Sequence, residues 1–388
     1  MRPEGFLRSE VPRPVLWGLI VMFAFLAGDW LQARVLLNHD VAWITHSARW
    51  LLHGREFGSD VLDPTPPMAW LLSMPAAALA NSGLLQEPVA VRVVFWGYSL
   101  AATALLFATT SLIGSAGRGT TTGWRIGMIL SITLVAGHSF GQREFVSVAF
   151  AMPYAATIAV RLQRQDRIRW PLGLMIGALA GIGFAIKPFF LAVPLLLETT
   201  VLLKYGWRAI WRPETLAIVV VIVVDVACVV VLAPQFLTLA IPLIRSTYWA
   251  YVLPDFSTVL QRYVECTYSC AAGILIALVT RTWSTQHTVV GLTLIGYSVS
   301  YFVQRKGFVY HGFPVLMASI VFLAICLGAG LHGLSERLRL AAPFVRAVVI
   351  VGLTVVALVP ASTAASTGSS VPEPRPPSTV TITCWRPD

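Results

Sequence analysis

The sequence predicts an all-α, polytopic membrane protein. Of its 388 residues, 56% are hydrophobic and 12% are charged, whereas soluble domains carry roughly 25% charged residues. The mean hydropathy is +0.74. The long apolar segments are continuous and do not alternate with polar residues, which indicates membrane-spanning helices and not the strands of a membrane barrel.

Apolar runs predict roughly ten to eleven spans of about 20 residues each. They cover residues 15–37, 91–113, 124–140, 145–160, 171–186, 189–203, 214–233, 270–281, 287–303, 312–331 and 345–361. The first run is too long for the apolar region of a typical signal peptide, so we expect it to be retained. Asp29 within it should pair with Arg34 or a neighbouring helix, because a lone acid inside a span is costly. We expect one transmembrane domain, 1–361, and a Pro/Ser/Thr-rich flexible tail, 362–388.

Lysine and arginine residues predict the orientation of the chain. With the N-terminus in the cytoplasm, the cytoplasmic connections carry Arg118, Arg125, Arg161, Arg164, Arg167, Arg169, Lys204, Arg208, Arg212, Arg281, Arg337, Arg339 and Arg346. This positive-inside distribution explains most of the net charge of +10 without a nucleic-acid partner. The opposite face holds two long outer loops, 38–90 and 234–269. The few basic residues on that face oppose the trend, so we expect function to hold them there.

Three acids mark the first outer loop as a candidate reaction site. Asp40 follows the first span directly, beside His39, and is suited to accept a proton from an incoming hydroxyl. Asp60 and Asp63 come just before a Pro-Pro pair. Each could orient a sugar hydroxyl or ligate a divalent cation, although two acids three residues apart are a weak metal signal. The alternative is an ordinary surface loop with solvated acids.

The residues between these acids predict an amphipathic helix at the membrane surface, from Val41 to His53. Its apolar side carries Trp43, Trp50 and Leu51, and its polar side carries Arg49 and His53. Aromatic residues of this kind commonly anchor a helix in the membrane interface.

Basic residues in three separate outer segments are suited to binding a phosphate. In the first segment, Arg143 stands between Gln142 and Glu144, and an arginine that an acid holds in place grips a phosphate well. Lys187 lies between two apolar runs, where an anionic lipid head group would serve as its partner. For both cations the alternative is a side chain that snorkels to the membrane surface.

The third segment, Gln304–His311, places Arg305 and Lys306 beside Tyr310 and His311. Two fixed cations would stabilise the charge that develops on a phosphate or diphosphate leaving group. The alternative is a basic loop that rests on phospholipid head groups.

Together these motifs resemble the GT-C type of membrane glycosyltransferase, in particular the bacterial lipid A aminoarabinose and galacturonic acid transferases and the protein mannosyltransferases. The resemblance is most specific over Asn38–Pro75, and residues 141–144, Lys187 and residues 304–311 support it. It implies a polyprenyl-phosphate sugar as the donor and an acid at the position of Asp40 as the general base. Where many members have a second acid close to the first, this sequence has His39.

We therefore expect an inverting glycosyltransferase of the bacterial inner membrane, with its active face outside the cytoplasm. Asp40 would be the base, and Arg143, Lys187, Arg305 and Lys306 would bind the donor phosphate. The supporting residues would be His39, Asp60, Asp63, Gln142, Glu144, Tyr310 and His311. Whether a divalent cation binds Asp60 and Asp63 stays open, as does the acceptor. The alternatives are a transporter or flippase of a lipid-linked sugar and a non-catalytic partner in polysaccharide assembly.

Overall fold

The computed structural model describes residues 13–57, 60, 61, 63, 65–114, 117–163, 168–247 and 255–338. Within this part of the chain the structure is helical, and the only extended pairing is an isolated bridge between Phe57 and Val61. The all-α prediction is therefore confirmed. The predicted span 345–361 and the predicted tail 362–388 lie outside the described residues.

Thirteen α-helices follow one another along the described residues. They are α1 (Arg13–Gln32), α2 (His39–Leu52), α3 (Met68–Asn81), α4 (Glu87–Thr110), α5 (Arg118–Leu130), α6 (Arg143–Gln163), α7 (Trp170–Ala185), α8 (Ala192–Tyr205), α9 (Pro213–Leu232), α10 (Ile241–Thr247), α11 (Phe256–Thr280), α12 (Thr285–Gln304) and α13 (Val309–Leu338). A π-helical turn, Ser131–Val135, extends α5, and a 3-10 turn, Pro188–Leu191, leads into α8.

Seven of the described helical segments are long and apolar enough to cross a membrane, as expected of an integral membrane protein. They are α1, α4, α6, α8 with its 3-10 turn, α9, α11 and the first 26 residues of α13. The predicted spans 124–140, 171–186 and 287–303 are also largely helical, in α5 with its π-helical turn, α7 and α12.

Three helices differ from the sequence prediction. No predicted span covers α3 in the first outer loop or α10 in the second outer loop. In the second outer loop, α11 begins at Phe256 and not near residue 270, because Asp255 caps it by accepting a hydrogen bond from the backbone N–H of Ser257 (2.9 Å). The polar first turns of α11 lower its local hydropathy, so an apolar-run criterion detects only its second half.

Helix α6 forms the centre of the bundle. Its side chains from Glu144 to Leu162 are all buried, and it packs against α4, α7, α12 and α13. A helix that is buried on all sides belongs to the core of the molecule. The first residue of this central helix is Arg143, so the fold carries that side chain to the end of the bundle that the positive-inside distribution predicts to be extracytoplasmic, here called the outer end.

Two stripes of glycine bring helices into close contact. Gly119, Gly123 and Gly127 of α5 face α13, where a Cβ on Gly123 would lie 2.4 Å from the backbone oxygen of Ala324. On α7, a Cβ on Gly177 would lie 2.2 Å from the backbone oxygen of Glu214 on α9. Small residues at four-residue spacing commonly allow membrane helices to approach this closely.

A network of buried ion pairs holds the other end of α6. Glu214, which is fully buried, accepts hydrogen bonds from Arg161 (3.0 Å) and Arg212 (3.3 Å). Arg212 also pairs with Glu198, which accepts a hydrogen bond from Tyr154 (2.6 Å). Because 18 residues of helix separate Arg143 from Arg161, this network lies about 27 Å from the outer end of α6.

Asp29 in α1 pairs with a neighbouring helix, as one of the two sequence alternatives predicted. Its carboxylate lies 3.3 Å from Nε of Arg92 on α4 and accepts a hydrogen bond from the indole of Trp96 (3.0 Å). Arg34 instead stacks on the ring of Trp30. The acid therefore holds α1 against α4 and is explained by that contact.

Candidate active site

Asn38 fixes the start of α2 and, with it, the position of Asp40. The side-chain oxygen of Asn38 accepts a hydrogen bond from the backbone N–H of Asp40 (2.9 Å) and another from the Gln142 side chain. Its amide donates to the backbone oxygen of His138 (3.2 Å). Asparagine is a strong helix N-cap, and here the cap also joins α2 to the residues that precede α6. Asp40 thus sits in the first turn of α2, beside the first residues of α6.

Asp40 and Arg143 form an ion pair at the outer end of the bundle. The distance from Oδ2 of Asp40 to Nη2 of Arg143 is 3.0 Å, and both side chains are largely buried. Nη1 of Arg143 donates a second hydrogen bond to the hydroxyl of Thr65 (2.7 Å). The other carboxylate oxygen, Oδ1, lies 3.2 Å from Nε2 of His39, which is exposed. The predicted base and the first predicted phosphate ligand are therefore direct neighbours.

Asp63 contacts this ion pair indirectly, through Thr65. It is buried, its Oδ1 accepts a hydrogen bond from the backbone N–H of Thr65 (2.6 Å), and its Oδ2 accepts one from the indole of Trp43. Asp63 therefore positions the threonine that holds Arg143. Both of its carboxylate oxygens are engaged by these contacts.

Asp60 lies in a different environment. It is exposed, accepts a hydrogen bond from the backbone N–H of Glu56 (3.0 Å) and stands 3.8 Å from Arg55. Among the described residues, no group of three His, Cys, Asp or Glu side chains is arranged to hold a metal ion. These contacts explain Asp60 as part of the loop and Asp63 as part of the site.

A second buried ion pair lies directly behind the first. Lys187 pairs with the fully buried Glu144 and stands 3.4 Å from the side-chain oxygen of Gln304 and 3.5 Å from Nε2 of His311. His311 Nε2 is also 3.5 Å from Glu144. Burial lowers the pKa of Lys187 to about 8, although the adjacent carboxylate of Glu144 opposes the shift. The pair joins α6, α12, α13 and the connection between α7 and α8 at one point.

Lys306 and Tyr310 complete the site from the connection between α12 and α13. Lys306 is half-buried and close enough to Arg143 and Asp40 to interact electrostatically with both, and burial lowers its pKa. The hydroxyl of Tyr310 interacts with the carboxylates of Asp40 and Glu144. Arg305 takes no part in the contacts just described, since its guanidinium is exposed and lies 5.9 Å from the centre of the Phe256 ring.

Several buried polar atoms of the site have no hydrogen-bond partner within the described part of the chain. They are Oε1 of Gln142, Nε of Arg143, Oε2 of Glu144 and Nδ1 of His311. Buried polar atoms are rarely left unpaired, and four of them at one place indicate a site that accepts a polar ligand. The site contains three cations, Arg143, Lys187 and Lys306, which favour a negatively charged ligand.

A small, mostly apolar cavity adjoins Arg143, with a volume of about 10 Å³, room for about one water. Its lining consists of side chains from α2, α3, α4 and α6 and from the connection before α8, namely Val41, Ile44, Ala69, Leu72, Ser73, Phe95, Gly141, Arg143, Val146 and Ile186.

Sequence reasoning missed three contributors to the site. Asn38 has a recognisable signal, because an asparagine before an amphipathic helix is a typical N-cap. Thr65 and the indole of Trp43 have no local signal, since their roles arise only when the loop before α3 folds over α2. Gln304 belongs to the predicted segment Gln304–His311, but its contact with Lys187 forms only when residues 117 positions apart come together in the fold.

No family model matches the chain, and no curated protein matches it in sequence. Among solved structures, the chain is similar to the crystal structure of ArnT from Cupriavidus metallidurans bound to undecaprenyl phosphate, with a TM-score of 0.53 and 16% sequence identity. The similarity covers 91% of this chain and 72% of that chain. The chain therefore shares the fold of ArnT, and the predicted resemblance to GT-C membrane glycosyltransferases is confirmed at the level of the fold.

Proposed function

We propose that this protein is a membrane glycosyltransferase that moves a sugar from a polyprenyl-phosphate donor to a hydroxyl acceptor. The observation that carries the proposal is the contact between Asp40 and Arg143, with Lys306 and Tyr310 beside it and Lys187 behind it. A carboxylate that faces several fixed cations provides both groups that the reaction needs, a base and a binding site for the leaving group. The fold supports the same class, because ArnT was solved with undecaprenyl phosphate bound.

Donor binding would reorganise the ion pair. In the structure, Arg143 donates to Asp40 and Thr65, and a phosphate offers the same guanidinium a bidentate partner. When the phosphate binds the guanidinium in place of Asp40, Oδ2 of Asp40 loses the hydrogen bond from Arg143 and becomes able to accept a proton. Binding of the donor would therefore prepare the base.

The transfer step is a single displacement. The acceptor oxygen attacks the anomeric carbon of the donor while its proton passes to Asp40, and the bond from that carbon to the phosphate oxygen breaks. The polyprenyl phosphate leaves with the bonding electron pair and is stabilised by Arg143 and Lys306. Attack from the side opposite the leaving group inverts the anomeric centre.

Lys187 is buried and paired with Glu144. It would therefore act on the phosphate indirectly, through Glu144, and not by direct contact. The prenyl chain would extend from the site into the bilayer. The positive-inside distribution supports an extracytoplasmic position for this end of α6. A bacterial inner membrane would supply the lipid-linked sugar.

Transfer in native membranes tests the proposal. Membranes that contain the overexpressed protein and its natural acceptors are supplied with undecaprenyl-phosphate-linked radiolabelled sugars, and label that leaves the lipid-phosphate fraction for another product is measured. We expect Asp40→Asn to lower this transfer by about 10²- to 10⁴-fold, the usual contribution of a general base.

The matched control is Asp60→Asn, because Asp60 belongs to the same loop but is exposed and lies outside the site. The Asp60→Asn variant should transfer the labelled sugar as fast as wild type. Near-normal transfer by Asp40→Asn would remove Asp40 from the mechanism. Movement of labelled lipid across proteoliposomes without any glycosidic product would favour a flippase.

A further inference from the structure

Trp43 is the tryptophan of α2 that lies nearer along the helix to the proposed base. It follows Asp40 by three residues, so the two side chains project from the same side of the helix, one turn apart. The indole is 44% exposed, although its N–H is bonded to the buried Asp63. The ring is therefore held in a fixed orientation with part of its surface open beside the site.

A membrane anchor does not account for this arrangement. Tryptophan in the interface usually presents its N–H to water or to lipid head groups. The N–H of Trp43 points inward instead, to a carboxylate whose other oxygen holds the backbone of Thr65 (2.6 Å). Thr65 in turn accepts the hydrogen bond from Arg143 (2.7 Å). One carboxylate thus couples the position of the indole to the position of the phosphate-binding cation.

Trp50 shows the contrast on the same helix. It is 37% exposed, packs edge-on against Trp43 at 6.2 Å and lies 4.7 Å from the ring of His46. Its ring neighbours, Trp43 and His46, belong to its own helix, and Trp50 itself lies about three turns beyond Asp40. Exposure and residue type are therefore matched between the two tryptophans, and only Trp43 is joined to the site by Asp63.

We propose that Trp43 is a stacking platform for a saccharide ring at this site, and that Asp63 is the positioning residue that orients it. The inference rests on the proposed function. The C–H groups on one face of a sugar carry a small positive charge and match the negative face of an indole. A ring on Trp43 would stand next to Asp40 and Arg143, where the anomeric carbon or the acceptor hydroxyl must lie.

Binding measurements separate this sugar contact from the lipid contact. The full-length protein in nanodiscs is titrated with undecaprenyl phosphate, with undecaprenyl phosphate linked to glucose, mannose, galactose or a pentose, and with the corresponding octyl glycosides. For wild type we expect at least one sugar to raise affinity over undecaprenyl phosphate alone. We expect Trp43→Leu to remove about three- to tenfold of that gain, where the gain of each variant is measured relative to its own affinity for undecaprenyl phosphate.

Three further variants keep the test independent of folding. Trp43→Phe keeps an aromatic face and should retain part of the gain, whereas Asp63→Asn should loosen the ring and weaken the gain while Trp43 is still present. Trp50→Leu is the matched control and should behave as wild type. The thermal midpoint of each variant is compared with wild type in the same nanodiscs.

The outcomes distinguish the sources of the sugar. Loss of the gain for the lipid-linked sugars assigns the platform to the donor, and loss of octyl glycoside binding with an intact donor gain assigns it to the acceptor. Equal behaviour of Trp43→Leu and Trp50→Leu, or no sugar-dependent gain in wild type, overturns the inference. If wild type binds no undecaprenyl phosphate at all, the proposed function fails as well.

Discussion

Replacement of Arg143 by lysine keeps the positive charge at the site but removes the guanidinium fork. In the structure that fork spans Asp40 at 3.0 Å and Thr65 at 2.7 Å. A lysine ammonium is a compact charge and cannot reproduce planar two-point binding of a carboxylate or phosphate. The loss of one hydrogen bond to a charged group costs about 1.5–3 kcal/mol.

This cost corresponds to about a 10- to 150-fold loss, because every 1.4 kcal/mol is a factor of about ten. We expect Arg143→Lys to lower undecaprenyl phosphate affinity in nanodiscs, and sugar transfer in membranes, within that range. The control is Arg125→Lys, since Arg125 makes its contacts with Phe107, Thr110 and Ser111 far from the site. If Arg143→Lys binds within twofold of wild type, or if both variants lose affinity equally, the reasoning about the fork is refuted.

Three further predictions concern the buried charges and the close helix contacts. Undecaprenyl phosphate affinity should be full below pH 8 and fall above it as Lys187 loses its proton, because burial lowers the pKa of Lys187 to about 8. Lys187→Arg, which stays charged, should remove this decline. A decline of the same size in that variant would show that Lys187 is not the group that titrates. Glu214→Gln should destabilise the protein by about 3–5 kcal/mol, because it leaves buried guanidinium groups without their carboxylate, whereas the exposed Glu56→Gln should change equilibrium unfolding in mixed micelles by less than about 0.5 kcal/mol. Gly123→Val should cost about 1–3 kcal/mol by overpacking, while Gly97→Val, where a Cβ meets nothing within 4 Å, should have little effect on the same unfolding curve; equal effects would argue against the close approach of α5 and α13.

The fold was largely predictable because the solvent for most of the chain is lipid. Long apolar runs must form helices in a bilayer, and hydropathy alone therefore finds most of the bundle. The start of α11 at Phe256 was missed because its first turns carry Gln261, Arg262 and Glu265, which break the apolar run. Helix α3 was missed because its short alanine-rich segment follows Pro66 and Pro67 and appears as the end of a loop.

The site was predictable where a single residue opposed a strong trend. Arg143, Lys187 and Lys306 lie on the face that the positive-inside distribution predicts to be extracytoplasmic, and the structure brings all three into one region with Asp40. Arg305 satisfied the same criterion but turns outward, because it adopts the left-handed conformation that ends α12 (φ 48°). A charge trend identifies the face of a membrane protein, but backbone geometry at the helix end decides which of two adjacent side chains enters the site.

The contacts that connect the parts were beyond sequence reasoning. Thr65 reaches Arg143 across 78 residues, and Gln304 reaches Lys187 across 117 residues. Such pairings depend on how the first outer loop and the connection between α12 and α13 fold over the end of α6. Asp63, considered as a metal ligand or a sugar contact from sequence, has contacts that make it a positioning residue for Trp43 and Thr65.

The most direct test of the account is to locate a bound phosphate in the protein itself. An experimental structure in nanodiscs with undecaprenyl phosphate should place the phosphate within about 4 Å of the Arg143 guanidinium, the distance of an ion pair, with the prenyl chain extending into the bilayer. A phosphate bound at the opposite end of α6, near Arg161 and Glu214, would contradict the account.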